Sequence, residues 1–562
     1  MNDSIRKERI RMSDIAAKSP PAAGAAAPYS RSVAEAMLEQ LALWGVKRVY
    51  GVTGDAIFGL MDALAEQAQI AFIAVKHESA AALMASAEAK LTGGLGVCVA
   101  QMGPGLANLA VGLGDAYLDN APVLAITGQA PLAMIGTPSK QFIDQQALMQ
   151  AITGYSRLVA DPDAAMAGLT EAMHRARANL SVSHLSVPAD LFGRPTAIPA
   201  KRPPAAPVLQ PDPAALDRAA GMMRAAKRPM ILAGCGLRRE RESLLKLAEA
   251  RGCGIALAYG AAGIVPDDHP LLLNGLGEGG NPHLGELFRQ ADAVLVLESD
   301  WWPEGSVPQG ARVVRTASHP GLLGLSRPAE AALVGDSSIV LKQLTERLRD
   351  CPADPSWTEA IRRCKRTWQA QHEREAGMRE SPLHPAGIIQ AVERAVDEDA
   401  VIALDEGDAT LWFLRGFRAR KQQVLLSNRF RTMGFGLPAA IAAKLSRPEK
   451  QVVCLTGDGG LGMVMADLLT AARYRLAIGV IVFRNDSLQM ERDKTAQQGL
   501  RPEGTELTNP DFVRVAEACG WAARRVASVR QLEEALAHDL GGSRPFLLEA
   551  VTARVPFPEF QS

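Results

Sequence analysis

Three times along this chain, short runs of residues apolar on both faces alternate with stretches of helical period. That rhythm limits the fold more than any other feature. In residues 29–193 the runs are R-V-Y-G-V, A-F-I-A-V, L-G-V-C-V-A and P-V-L-A-I-T, set among helical patterns such as S-V-A-E-A-M-L-E-Q-L-A-L-W-G. A strand that is apolar throughout must be covered on both faces, which predicts a parallel sheet between two helical layers. Residues 214–350 repeat the pattern with R-P-M-I-L-A-G-C-G, G-I-A-L-A and A-V-L-V-L-E, and residues 383–562 with V-I-A-L-D, Q-V-V-C-L-T, I-G-V-I-V-F and P-F-L-L-E-A-V. The expected fold is α/β, with three consecutive doubly wound parallel-sheet domains.

The segments between fit this division. Residues 194–213 carry seven prolines, too many for a helix or a central strand, and read as a linker. Residues 351–382 form a charged connection, helical from Trp357 to Glu380. Residues 1–28 end in S-P-P-A-A-G-A-A-A-P and lack the apolar core of a signal peptide, while Asp3, Glu8 and Asp14 speak against a transit peptide. They are expected to be a disordered tail.

A chain of 562 residues suits three domains of this kind. Lys+Arg equals Asp+Glu at 61 each, so no net field favours nucleic acid or an anionic membrane surface. No run approaches the ~18 apolar residues of a membrane span. The seven cysteines lack C-x-x-C spacing, which fits free thiols in a reducing compartment and gives no zinc site. A cytoplasmic location is the expectation.

The chemistry concentrates where Q-V-V-C-L-T runs into Gly457-Asp458-Gly459-Gly460. Open parallel sheets bind ligands beyond the carboxyl ends of their strands, where strand order reverses. Glycines there let the backbone approach a ligand and free amides at the start of the next helix, expected at roughly 462–475, which favours anions. The next strand, A-I-G-V-I-V-F, leads to Arg484-Asn485-Asp486-Ser487. Asp458 and Asn485 then share one sheet edge, and a carboxylate, an amide oxygen and a backbone carbonyl suit Mg²⁺ completed by phosphate and water. A lone G-D-G is more often a helix N-cap; the spaced asparagine is what favours a metal-bound diphosphate.

G-D-G-(x25)-N resembles the metal and diphosphate motif of thiamine-diphosphate enzymes. Residues 30–555 resemble the pyruvate oxidase and acetohydroxyacid synthase family within them, with closest likeness to the bacterial pyruvate:quinone oxidoreductases. The resemblance rests on Y-G-V-T-G-D-A-I-F-G-L (50–60), K-H-E-S-A-A-A-L-M-A (76–85), M-G-P-G-L-A-N-L (102–109), P-V-L-A-I-T-G-Q (122–129), T-M-G-F-G-L-P-A-A (432–440) and R-P-E-G-T-E-L-T-N-P-D-F (501–512). It implies pyrimidine-binding, central and diphosphate-binding domains in that order, and a homodimer or homotetramer with the cofactor between subunits.

It also implies roles by position. Glu78 would hydrogen-bond the pyrimidine, Met433 would wedge the cofactor into a bent shape, and the Arg431 carbonyl would accept the aminopyrimidine proton. Asp458, Asn485 and the Ser487 carbonyl would hold Mg²⁺. Gly407, Asp408, Ala409, Gly457, Gly459, Gly460 and Leu488 would complete the cofactor contacts. From the residues alone, Glu78 reads equally as an exposed helix-start glutamate, Met433 as core, and His77 as a packed or capping histidine.

Departures from the family fall at the site. Its frequent Phe-Gln-Glu loop matches Lys140, Gln141 and Phe142, so a lysine stands where the substrate sits, either binding an acidic substrate or facing solvent. Asp408 beside a diphosphate is unfavourable unless it faces the metal or an arginine, and Arg484 is a candidate counter-charge. Flavin-carrying members end a central strand in D-x-D; here that strand reads R-V-V-R-T-A-S-H-P. G-L-G-E-G-G-N-P and E-S-D-W-W-P keep the family's outline, which leaves FAD open in both directions. Beyond Ala553 only R-V-P-F-P-E-F-Q-S follows, too short for an amphipathic membrane anchor.

The expected function is thiamine-diphosphate- and Mg²⁺-dependent decarboxylation of a small 2-oxo acid, with the product oxidised or ligated to a second carbonyl compound. The alternative is a catalytically silent thiamine-diphosphate-binding relative.

Overall fold

Eighteen strands in three parallel sheets form the frame of the computed structural model, which describes residues 31–205, 208–299, 301–323, 329–351, 353–378 and 382–558. The tail expected at 1–28 lies outside the described residues. The first sheet comprises β1 (Arg48–Gly51), β2 (Ala71–Ala74), β3 (Gly96–Ala100), β4 (Val123–Gln129), β5 (Tyr155–Leu158) and β6 (Val182–Pro188). The central sheet comprises β7 (Pro229–Ala233), β8 (Gly254–Leu257), β9 (Leu272–Gly275), β10 (Ala293–Leu297), β11 (Arg312–Ala317) and β12 (Ala331–Val334). The third comprises β13 (Val401–Leu404), β14 (Gln423–Leu425), β15 (Val452–Gly457), β16 (Gly479–Arg484), β17 (Ala522–Val526) and β18 (Phe546–Val551). A short antiparallel pair, Arg31–Ser32 with Pro195–Thr196, accompanies them.

Strand order shows where each sheet can hold a ligand. The first runs β2-β1-β3-β4-β6-β5 and the third β14-β13-β15-β16-β18-β17, the same order counted within each domain. The central sheet runs β9-β8-β7-β10-β11-β12. Order therefore reverses between β1 and β3, between β7 and β10, and between β13 and β15. Each reversal parts the loops beyond the strand ends and opens a crevice.

Expectation and structure differ in instructive places. The apolar runs all became interior strands or their neighbours, whereas β5, β9, β12, β14 and β17 were not expected from the sequence. All five are edge strands, and β17, A-A-R-R-V, is the most exposed of them. β6 is interior but polar: His184 is fully buried between Thr127 Oγ1 at 2.8 Å and Ser156 Oγ at 2.9 Å, so its neighbours supply the bonds that burial demands. The helix expected from about 462 begins at Asp458 and runs to Val464, because Gly457 serves as its N-cap directly off β15.

The largest core joins two domains. The alanine-rich helix Glu78–Thr92 packs on Gly436–Ser446 of the third domain on one side and on Pro104–Leu118 on the other, and its small side chains let the backbones approach closely. Polar bonds reinforce that contact: Arg48 donates to the Leu445 carbonyl at 3.1 Å, and Asp467 accepts the Lys76 amide at 3.0 Å. No described helix is long and apolar enough to cross a membrane, and all seven cysteines are free.

Candidate active site

A cavity of about 240 Å³ opens at the β13/β15 reversal. β13 delivers Glu406, Gly407 and Asp408 to one wall, and β15 delivers Gly457 to Gly460 to the facing wall. The segment after β16 adds Ser487, Leu488 and Gln489, while Arg431 and Met433 enter from the loop after β14. Asp405 ties these walls together. Its Oδ1 accepts the amides of Glu406 (2.9 Å) and Gly434 (2.7 Å), and its Oδ2 accepts Thr456 Oγ1 at 2.8 Å. A side chain at Gly460 would meet Asp405 Oδ2 at 2.5 Å, so the close approach of the two walls requires glycine there.

Asp458 is buried and held by three donors. Its Oδ1 accepts the Gly459 amide at 2.9 Å, and its Oδ2 accepts the Asp486 amide at 2.7 Å and Asn509 Nδ2 at 2.9 Å. Asn509 also donates to Asp486 Oδ1 at 2.9 Å. Sequence reading passed over Asn509; the only signal was its place in the R-P-E-G-T-E-L-T-N-P-D-F stretch. Asn485 is buried beside the cavity rather than on its wall, with Oδ1 accepting the Ser487 amide at 3.1 Å. Ala409 lies one residue inside the helix Asp408–Gly416, also off the wall.

Thus Gly407, Asp408, Arg431, Met433, Gly457, Asp458, Gly459, Gly460, Ser487 and Leu488 come together in one cavity. Glu78, Lys140 and Gln141 do not; they belong to the first domain. Glu78 opens the helix Glu78–Thr92 half-buried, with Asn108 Nδ2 donating to its Oε2 at 2.9 Å. His77 caps that helix by accepting the Ser79 amide. Lys140 is 74% exposed and pairs with Asp55 at 3.1 Å, so its charge is already balanced. Gln101 Nε2 donates to both Asp55 and Gln141, gathering these residues at the β1/β3 reversal.

The electrostatics of the cavity favour a cation. Burial pushes the Asp405 carboxyl up to about 6 and Asp408 up to about 6, the latter with Asp458 and Asp493 adding repulsion. Burial pushes Glu406 up to about 7, against the pull of Arg431 and a hydrogen bond from Tyr259. Asp458 is likewise raised by burial. The expected compensation of Asp408 by Arg484 is corrected here. Arg484 is committed to the buried Glu549 at 2.5 Å and to Asp486 at 3.1 Å.

The residues present fit a metal-bound anion. Ser487 Oγ and Gln489 Oε1 are buried without a hydrogen-bond partner in the chain, and such groups call for one from outside it. Among the described residues no three His, Cys, Asp or Glu side chains converge as a metal-binding group. An ion here would draw on one carboxylate with amide and backbone oxygens, the hard donor set of Mg²⁺.

Comparison with known proteins bears on the same regions. The chain matches the thiamine pyrophosphate enzyme N-terminal TPP binding domain over residues 31–150, the central domain over 216–344 and the C-terminal TPP binding domain over 405–550. It is 34% identical over 535 residues to YdaP of Bacillus subtilis, described as a thiamine pyrophosphate-containing protein, covering 94% of this chain and 92% of that one. It is 31% identical to the pyruvate oxidase of Lactiplantibacillus plantarum, covering 93% and 89%. Identity to the acetolactate synthase isozyme 1 large subunit of Escherichia coli is 31%, covering 81% and 82%. With all three domains matched in order, the chain belongs to the thiamine pyrophosphate enzyme family, among the pyruvate oxidase and acetolactate synthase relatives, and is a thiamine-diphosphate-dependent enzyme.

Proposed function

We propose that this enzyme decarboxylates a small 2-oxo acid, pyruvate or a close relative, using thiamine diphosphate held by Mg²⁺ at Asp458, Asn485 and Ser487. The observation that carries the reading is the β13/β15 cavity, where buried carboxylates and unpartnered Ser487 Oγ and Gln489 Oε1 face one space. A divalent cation held there would offset the clustered negative charge and supply a counter-charge for a diphosphate. This also accounts for Asp408, which is tolerable beside an anion only when a cation stands near.

When bound, the cofactor supplies a ring carbon that becomes nucleophilic toward a 2-oxo group and an electron sink for the loss of CO₂. The chain's own residues prepare that carbon. Glu78, steadied by Asn108, would hold a proton toward the cofactor's pyrimidine when it is bound. Met433 on the cavity wall orients the two rings, and Gly407, Gly457, Gly459, Gly460 and Leu488 shape the diphosphate seat. Glu78 does not line the cavity of its own chain, which supports completion of the site by a second copy in a homodimer or homotetramer.

The test is CO₂ release from pyruvate and its homologues by the purified protein with thiamine diphosphate, with Mg²⁺ or with excess chelator. The expected result is turnover that the chelator abolishes and Mg²⁺ restores, and that Asp458→Ala lacks. Tight cofactor binding with no CO₂ from any 2-oxo acid would establish the silent relative instead.

A further inference from the structure

The central sheet has the strand order of dinucleotide-binding folds, with its reversal between β7 and β10. In such folds a dinucleotide diphosphate lies beyond those two strands, on amides freed by the first βα turn and the helix after it. Here that place is filled by the chain itself. Glu298 follows β10 directly, is 8% exposed, and holds a left-handed backbone (φ +49°) that favours glycine. A side chain at Gly236, in the turn after β7, would meet Glu298 Cβ at 2.8 Å and Oε2 at 3.2 Å, which places the Glu298 side chain at the mouth of the crevice.

Among the described residues, that carboxylate takes its hydrogen bonds from two loops at the strand ends. Glu298 Oε2 accepts the Ser318 amide at 3.2 Å and Ser318 Oγ at 3.0 Å, from the residues after β11. Oε1 accepts Ser337 Oγ at 2.7 Å, from the first residue of the helix Ser337–Leu348. The next amides of that helix are taken by Asp336. The glycines of the first turn are in contact with the same residue. A side chain at Gly234 would meet the Glu298 carbonyl oxygen at 1.9 Å, and one at Gly236 would meet Glu298 Cβ at 2.8 Å. After Gly234 the chain forms a 3₁₀ turn, Cys235–Arg239, which delays the helix Arg241–Arg251. Beyond β10 the buried Arg315 donates to the Ser299 carbonyl at 3.0 Å and lies over the Trp302 ring.

We infer that Glu298 closes the dinucleotide crevice of the central domain, acting as a built-in anion on its donors, so that this chain carries no flavin. The residues present do not fit FAD at that crevice. Burial pushes the Glu298 carboxyl above its ordinary range, against hydrogen bonds from Ser337 and Ser318. A consequence rests on the decarboxylase reading above. The bond to the carboxylate carbon breaks, CO₂ leaves, and the electron pair forms a new bond to the carbonyl carbon of a second 2-oxo compound, whose oxygen takes up a proton. No oxidant is needed for that outcome.

Flavin content tests the inference without requiring turnover. Protein purified from riboflavin-fed cells is denatured and its released flavin read by visible absorbance; intact protein is then titrated with FAD by fluorescence quenching. Wild-type protein should release none and show no saturable quenching. Glu298→Gly, which suits the left-handed backbone and removes the side chain, should show saturable FAD binding at least about tenfold tighter than the weakest the titration detects. Its fold is checked by retained thiamine diphosphate binding in the third domain. Near one flavin per chain in the wild type would overturn the inference, whatever the variant does. An empty wild type with an equally empty, folded Glu298→Gly would overturn Glu298 as the closing group.

Discussion

The Arg431 guanidinium, on the wall of the third-domain cavity, donates to the Glu278 carboxylate of the central domain at 2.7 Å. It also lies 4.1 Å over the Tyr259 ring, whose hydroxyl donates to Glu406 at 3.2 Å. Of the two cations on the cavity wall, Arg431 and Lys494, the first is thus positioned from a domain that contributes no wall to it. Arg431→Met should weaken binding of thiamine diphosphate with Mg²⁺ by roughly tenfold, the scale of one charge near a diphosphate. Glu278→Gln should cost about threefold or less, because the guanidinium keeps its seat on Tyr259. Calorimetric titration separates the two, and equal effects would reject the arrangement.

Asp119, beyond the helix Pro104–Leu118 of the first domain, accepts the amides of Asn428 and Arg429, each at 2.8 Å, and pairs with the buried Lys90 at 2.6 Å. Lys90 also reaches Asp115 at 2.8 Å and the Leu426 carbonyl at 3.2 Å. The loop that carries Met433 is therefore anchored across the domain boundary. Asp119→Ala leaves two amides and part of a buried cation uncompensated, a loss of about 3–5 kcal/mol. Thermal unfolding should shift down by several degrees, with cofactor affinity falling alongside. A variant with native melting temperature and weakened affinity would show that the anchor acts on the loop alone.

Glu78→Gln should lower kcat by about 10²–10⁴-fold while circular dichroism and cofactor affinity stay near wild type. The amide keeps the shape and the contact to Asn108 but cannot hold the proton on the pyrimidine nitrogen. Turnover equal to wild type would remove Glu78 from the mechanism.

His184 gives a pH dependence of stability. Burial depresses it from the ordinary 6.5 to about 3. Below pH 6.5 the unfolded chain takes up a proton that the folded one refuses, so stability present above 6.5 is lost as pH falls toward 3. The slope from this one group reaches about 1.4 kcal/mol per pH unit. Denaturant melts at stepped pH should show a shallower acid loss in His184→Asn; an unchanged slope would mean that the neutral imidazole is not what makes the fold acid-sensitive.

Legibility of the fold followed burial. β4, β10, β13, β15 and β16 lie inside their sheets, are covered on both faces, and had to be apolar, so their identity and parallel packing could be read from residues alone. The five missed edge strands are short, four of them carry polar residues, and all pair on one side with a neighbouring strand. At the site, Asp458, Gly459, Gly460 and Ser487 announced themselves because a ligand-facing βα turn needs small residues beside hard oxygen donors. What no spacing could supply was partnership. The sequence held Glu278, Tyr259, Asn509 and Asp119 far from Arg431, Asp458 and Asn428, and only the packing of three sheets brought them within hydrogen-bonding or ring-stacking reach. The same holds for Glu298: as a residue it is one more glutamate after a strand, and it becomes a plug only because β7, β10 and β11 converge on it, since a side chain's chemistry is local while its surroundings are set by the whole chain.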